Sequence, residues 1–316
     1  MLTIFILQDN GRLENYKVRR IEDLNDKALW IDLREPTDEE WEWVAEVYGQ
    51  NLPTPDEVDD IEESARFYED DRGIHITSFF LYHGDEGEVT IPVTFTLHQG
   101  RLFTRRDEDL AAFRAFRMRA RRQIGIASDA VSIMLELLDT KVEVLAGSLE
   151  DTYVALDNLT HEVLRPMGVD MTAVLAQLAI SEDINGKVRL VLMDNQRVLS
   201  YLGRRVTLND EHREHIRQMA RDIESLIAHT SFLFNKINFL MDTTMGVINI
   251  EQNRVIKIFS IAAVVFLPPT LLASIWGMNF EYMPDLDLQY GYFIALILMV
   301  MAGIAPYWYF KRKGWL

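Results

Sequence analysis

The sequence predicts an α+β domain followed by a long stalk helix and two transmembrane helices. Three observations predict it. Residues 1–125 alternate strand-like with helix-like patterns, residues from about 128 onward read as nearly continuous helix, and two uncharged runs, 258–278 and 288–310, lie near the end. Hydrophobic residues are 48% and charged residues 26% of the 316, close to a soluble average, so the average hides an uneven distribution. A helix rises about 1.5 Å per residue and needs about 20 apolar residues to cross the hydrocarbon core. Both uncharged runs reach that length. Two buried helices of a soluble core would be the plainer explanation of shorter runs, but not of runs that end in aromatics and then Lys311-Arg312-Lys313.

The elements follow in order. LTIFIL, ALWIDL, GIHITSFFLYH, EVTIPVTFTLH and RLFTR are rich in Ile, Phe, Val and Thr and read as strands. TDEEWEWVAEVYG reads as a helix, with Thr37 as N-cap, Glu40 as its capping-box partner and Gly49 as the stop. TPDEVDDIEES and DEDLAAFRAFRMRARRQ are also helix-like. Asp129 to Leu202 has a helical pattern interrupted near Pro166–Gly168, and GRRVTLND is a turn offering Asn209 or Asp210 as the next cap. No stop signal appears from there to Trp276, a helix of roughly 90–100 Å at helical rise. A helix that long must pack on others and run straight into the membrane. The expected division is 1–127 for the α/β domain, 128–257 for the helical stalk region, 258–278 for the first span, 279–288 for the outer loop, 289–310 for the second span and 311–316 for a basic tail.

Charge sets the expected orientation. Arg254 and Lys257 precede the first span and three bases follow the second, whereas the loop between them holds only the acids Glu281, Asp285 and Asp287. By the positive-inside rule both termini face the cytoplasm. The N-terminal MLTIFILQDNGRLENYKVRR has no basic region before its apolar patch and reads as a strand, not a signal peptide. Formal net charge is −17, carried by the part before the spans; such a body repels nucleic acid and attracts cations. With no cysteine there is no disulfide and no thiolate metal site. The chain has no GxxxxGK loop and no nucleophile–base arrangement, so we expect neither an enzyme nor an organic cofactor. Glu211-His212-Arg213-Glu214-His215 and His161-Glu162 offer too few ligands for a metal site and read as solvated helix surface.

The first span carries a stripe. Steps of four and three from Asp242 land on Gly246, Asn249, Asn253, Ile256, Ser260, Ala263, Leu267, Thr270, Ser274 and Gly277, a period that keeps one face toward a common axis. Ile258, Ile261, Val265 and Leu272 lie on the other side and suit lipid or another helix. Small residues allow close helix packing, and that alone explains much of the stripe. The other reading is a pore lining, with polar rings of Asp242, Asn249, Asn253 and Thr270 and apolar rings at Ile256 and Leu267 that gate by dewetting. Two spans are too few to enclose a channel, so a pore requires a cyclic homo-oligomer. Pro268 and Pro269 deprive carbonyls near residues 264 and 265 of their N–H partners; neighbours or a water-filled lumen must satisfy them.

Gly277-Met278-Asn279 followed by Met283-Pro284 resembles the signature of the CorA family of divalent-cation transporters. NIEQNRVIKIFS, VVFLPPT, GMNFEYMPDL and the terminal YFKRKGWL extend the likeness across 249–316, and DEVDDIEESARFYEDD (56–71) is similar to the cytoplasmic domain of enterobacterial members. The resemblance implies a funnel-shaped homopentamer in the bacterial inner membrane. The long helix would line the pore, with Gly277, Met278 and Asn279 as the selectivity filter and the second span as an outer ring. It implies inward transport of Mg²⁺, and usually Co²⁺ and Ni²⁺, inhibited by cytoplasmic Mg²⁺ held by acids between subunits; Asp222 and Glu224 are candidates. Trp276 stands where the family commonly has tyrosine. A zinc-transporting branch shares the scaffold but usually has another loop after the motif. A membrane-anchored metal sensor is the alternative from a different class.

The chemistry suits the loop. Mg²⁺ gives up water reluctantly, so a ring of Asn279 amide oxygens can accept hydrogen bonds from its hydration shell without trapping the ion. Glu281, Asp285 and Asp287 would concentrate cations outside, or simply keep the loop wet.

Overall fold

A computed structural model of the chain describes residues 1–50, 66–84, 87–164, 169–281, 283 and 289–314. The helix expected over 54–64, and Asp285 and Asp287, lie outside the described residues. Strands β1 (Leu2–Leu7), β2 (Leu13–Lys17), β3 (Ala28–Arg34), β4 (Phe67–Asp70), β5 (Gly73–Gly84), β6 (Gly87–His98) and β7 (Arg101–Arg106) form one sheet in the order β2-β1-β3-β7-β6-β5-β4. β3 and β7 pair parallel, with Trp30 opposite Leu102, and the other neighbours are antiparallel. The two strands that the sequence pattern did not announce, LENYK and FYED, are the two edges. Edge strands face water and can be short and polar, which removes the apolar alternation. Gly73 turns β4 into β5 at φ +127°, where a Cβ would lie 2.3 Å from the Leu97 carbonyl oxygen.

Alternation along β3 feeds both faces. Ile31 and Leu33 join Val44 and Tyr48 of α1 (Asp38–Tyr48) in one buried cluster. Trp30 points the other way, stacks on Phe5 with ring centres 3.9 Å apart, and meets Phe113 and Phe116 of α2 (Ala111–Arg122). The capping box of α1 forms as expected: Glu40 N donates to Thr37 Oγ1, Thr37 N donates to Glu40 Oε2, and Gly49 closes the helix at φ +65°.

Among the described residues the chain continues in helices α3 (Ala130–Leu164), α4 (Met171–Arg205), α5 (Asp210–Trp276) and α6 (Gly291–Arg312). Asn209 is the cap of α5, its Oδ1 accepting from His212 N at 2.7 Å. Leu145, Leu149 and Leu156 of α3, Leu178 and Leu192 of α4, and Met219, Ile223, Leu233 and Ile237 of α5 are buried at helical spacing. The chain divides into two compact units, residues 1–165 with 172–240, and 166–171 with 241–316; α5 contributes to both. α5, over 67 residues, and α6 each contain a stretch long and apolar enough to cross a membrane.

Candidate functional site

Within the second unit, α5 presents two unlike sides. Ile261, Val265 and Leu272 are half-buried, and α6 approaches Val265 and Pro269 through Gly303. Asp242, Asn249, Asn253, Ile256, Leu267 and Thr270 are exposed in the single chain, the large apolar Ile256 and Leu267 by 55% and 65%. One copy therefore leaves these six residues uncovered, while Ser260 and Gly277 of the stripe border grooves toward α6. Thr270 donates its hydroxyl proton to the Phe266 carbonyl at 2.6 Å, which leaves its oxygen lone pairs as acceptors for a hydrated ion's water. The helix runs through Pro268 and Pro269 to Trp276.

α5 then ends on a tightening turn. Gly277 N donates to the Ala273 carbonyl at 2.9 Å and Met278 N to that of Ile275 at 3.3 Å. Met278, Asn279 and Glu281 are exposed directly beyond this turn. The three motif residues thus sit together where the helix stops, at the end of the polar stripe.

Asp222 and Glu224 are exposed on α5. Among the described residues no three His, Asp or Glu side chains gather as a metal site would need. The acids that do gather are others. Glu136 and Asp139 of α3 approach His215 of α5, whose Nε2 lies 3.8 Å from Asp139 Oδ2. Burial raises the Glu136 carboxyl above its ordinary value, and the neighbouring Asp139 carboxylate raises His215. His212 pairs with Asp129 at 3.3 Å. The histidines expected as solvated surface instead serve two contacts at the start of α5: His212 is buried beside Asp129, which precedes α3, and His215 lies beside Asp139 of α3.

Two buried ionic nodes were not visible in the sequence. Asp32 of β3 accepts from Arg106 Nη2 at 2.8 Å and Thr104 Oγ1 at 2.8 Å, all essentially buried. Lys141 of α3 donates to Ser78 Oγ at 2.8 Å, with Asp194 of α4 3.7 Å away. Asp194 accepts from Ser78 Oγ and Phe79 N and pairs with Arg66. Burial lowers Lys141 to about 8, against the partial relief given by Asp194. The one available signal was a lysine on the apolar stripe of a helix, between Leu138 and Leu145. The first node ties β3 to β7, and the second ties β5 to α3 and α4.

The family model described as CorA-like Mg²⁺ transporter protein matches residues 25–312. This chain belongs to the CorA family. It is 49% identical over 318 residues to the magnesium transport protein CorA of Yersinia pseudotuberculosis, covering 100% of both chains. The CorA of Escherichia coli strain K12 matches at the same identity and coverage. Among solved structures, the complete CorA magnesium transporter from Methanocaldococcus jannaschii superposes with a TM-score of 0.78 at 20% identity, covering 100% of this chain and 99% of that one. That likeness speaks for the CorA fold: an α+β domain, a long helix and two apolar helices joined at the Gly-Met-Asn loop.

Proposed function

We propose that this CorA family member is a homopentameric channel that carries Mg²⁺, and also Co²⁺ and Ni²⁺, into the cell down the electrochemical gradient. The observation that carries this reading is the uncovered stripe of α5 leading without interruption to Gly277, Met278 and Asn279. Five copies around an axis would turn the exposed Asn249, Asn253 and Thr270 into polar rings and Ile256 and Leu267 into apolar constrictions. Asn279 would accept hydrogen bonds from the hydration shell, and Glu281 with its neighbouring acids would raise cation concentration at the mouth. Two charges moving inward across 100 mV gain about 4.6 kcal/mol, at about 2.3 each, so no ATPase machinery is needed. In this reading the loop lies outside and both termini lie in the cytoplasm, on the strength of the flanking Arg254, Lys257 and Lys311–Lys313.

Gating by cytoplasmic Mg²⁺ belongs to the same proposal. Acids that face each other across copies, Asp222 and Glu224 among them, repel; a bound cation relieves the repulsion and closes the assembly, and its loss lets the subunits splay.

The test is Mg²⁺ uptake into liposomes holding the purified protein with an inside-negative potential, comparing the native chain with Asn279→Ala. Uptake in the first and its loss in the second, with the oligomer intact, supports the channel. No uptake in either at low internal Mg²⁺ rejects it in favour of a membrane-anchored sensor. Competition by Zn²⁺ stronger than that by Co²⁺ would move the assignment to zinc transport.

A further inference from the structure

The second span approaches the backbone of the first closely at Gly303. Among the described residues of α6, Gly303 alone is buried. A Cβ added to Gly303 would lie 3.3 Å from the Val265 carbonyl oxygen, 3.4 Å from Pro269 Cγ and 4.0 Å from Val265 Cγ1. Two apolar grooves border this contact. One, of about 170 Å³, is edged by Ser260, Ile261 and Tyr307, and the other, of about 470 Å³, by Phe266, Met299 and Ile304.

The chemistry of the carbonyl explains the glycine. In an α-helix the carbonyl of residue 265 accepts from the N–H of residue 269, and residue 269 is a proline with no N–H to give. In hydrocarbon no water replaces the missing donor. Gly303 brings the bare Cα–H face of a neighbouring helix to that oxygen, the close approach that small residues permit between membrane helices. Any side chain there meets a backbone oxygen and a proline ring, neither of which can swing aside.

We propose that Gly303 is a positioning residue: it seats the second span on the proline step of the first and so holds the stripe of α5 in register. The seat and the lining lie on opposite sides of α5, since Leu267 and Thr270 are set well around the helix from Val265 and Pro269. Pushing α6 off the step releases the helix at the point between these two lining residues. This inference rests on the channel reading for its effect on transport, but the seat itself does not.

The test is a double-mutant cycle in full-length protein: native, Gly303→Val, Pro269→Ala and the double variant. Each is read as initial Mg²⁺ uptake per assembled oligomer and as the thermal midpoint of the oligomer. Pro269→Ala returns an N–H to the Val265 carbonyl and removes the ring that the valine would strike. The expected result is an uptake loss of about tenfold for Gly303→Val in the native background, shrinking to about twofold or less in the Pro269→Ala background. The concentration giving half-maximal uptake should stay unchanged, because the filter is untouched. Native uptake in Gly303→Val, or the same factor of loss in both backgrounds, overturns the proposal. If Gly303→Val does not assemble, Gly303→Ala in both backgrounds carries the same comparison. If the native chain carries no Mg²⁺, the channel reading fails while the midpoints still decide the seat: a smaller drop in the Pro269→Ala background supports it, and additive drops reject it.

Discussion

In residues 1–165 and 172–240 a large set of apolar side chains from strands and helices is buried within one chain, whereas in the unit containing 241–316 most of the described large apolar side chains are exposed. Trp30, Phe80, Phe95, Phe103 and Phe113 are at most 1% exposed, while Phe259 and Phe266 are 71% and 69% exposed. The first unit has a buried core of its own and can hold charges inside, provided each has a partner, as Asp32 has Arg106 and Asp194 has Lys141 and Arg66. Among the described residues the second holds no buried charge. In the proposed channel its side chains would face lipid and further copies, where association comes from packing and polar contacts more than from leaving water. Polar residues consequently mean different things in the two units: Asp32, Lys141 and Asp194 are buried and paired in the first, whereas Asp242, Asn249 and Asn253 are exposed in the second.

Four measurements would break or sharpen that contrast. The largest effect is expected from Arg106→Met, which leaves Asp32 buried without its main cation. It should lower the stability of the soluble body by about 3–5 kcal/mol, read by denaturant unfolding of the full-length protein. A loss under about 1 kcal/mol would mean that the node is wetter than its burial indicates. Asn253→Ala should do the reverse. Exposed in the single chain, it should leave unfolding unchanged within about 0.5 kcal/mol yet lower Mg²⁺ uptake several-fold. A stability loss without an uptake loss would make the stripe a packing surface.

Lys141 gives a smaller effect with a defined sign. Its folded value is about 8, below the ordinary 10.5, so the folded state resists protonating it. Between about pH 8 and 10.5 the unfolded chain binds the extra proton, and stability rises with pH by up to about 1.4 kcal/mol per unit from this group. Lys141→Met should remove that slope. The same slope in native and variant protein would show that Lys141 does not titrate as its burial requires. His215 should give the smallest effect, with the opposite sign. Its raised value, held by Asp139 with Glu136 and Glu211 adding, makes its contribution complete below about pH 6.5 and lost as pH rises through the folded value. His215→Gln should therefore be less stable than native at pH 5.5 and equal to it at pH 8.5; a difference that persists at pH 8.5 would assign the loss to packing.

The sequence by itself determined whatever depends on near neighbours or on length. The capping box of Thr37 and Glu40, the stop at Gly49, the break near Pro166, the single helix to Trp276, the two spans and the stripe from Asp242 to Gly277 are all readable from spacing, because a helix repeats its contacts every three or four residues. Only the tertiary structure decided what depends on residues distant in the chain. The parallel pairing of β3 with β7 sets Asp32 beside Arg106, and the sheet's position against α3 and α4 puts Ser78 between Lys141 and Asp194. Gly303 looks like any small residue of a membrane helix until the Val265 carbonyl is found against it. No local pattern carries such contacts, because their free energy arises only after the chain has brought the two segments together.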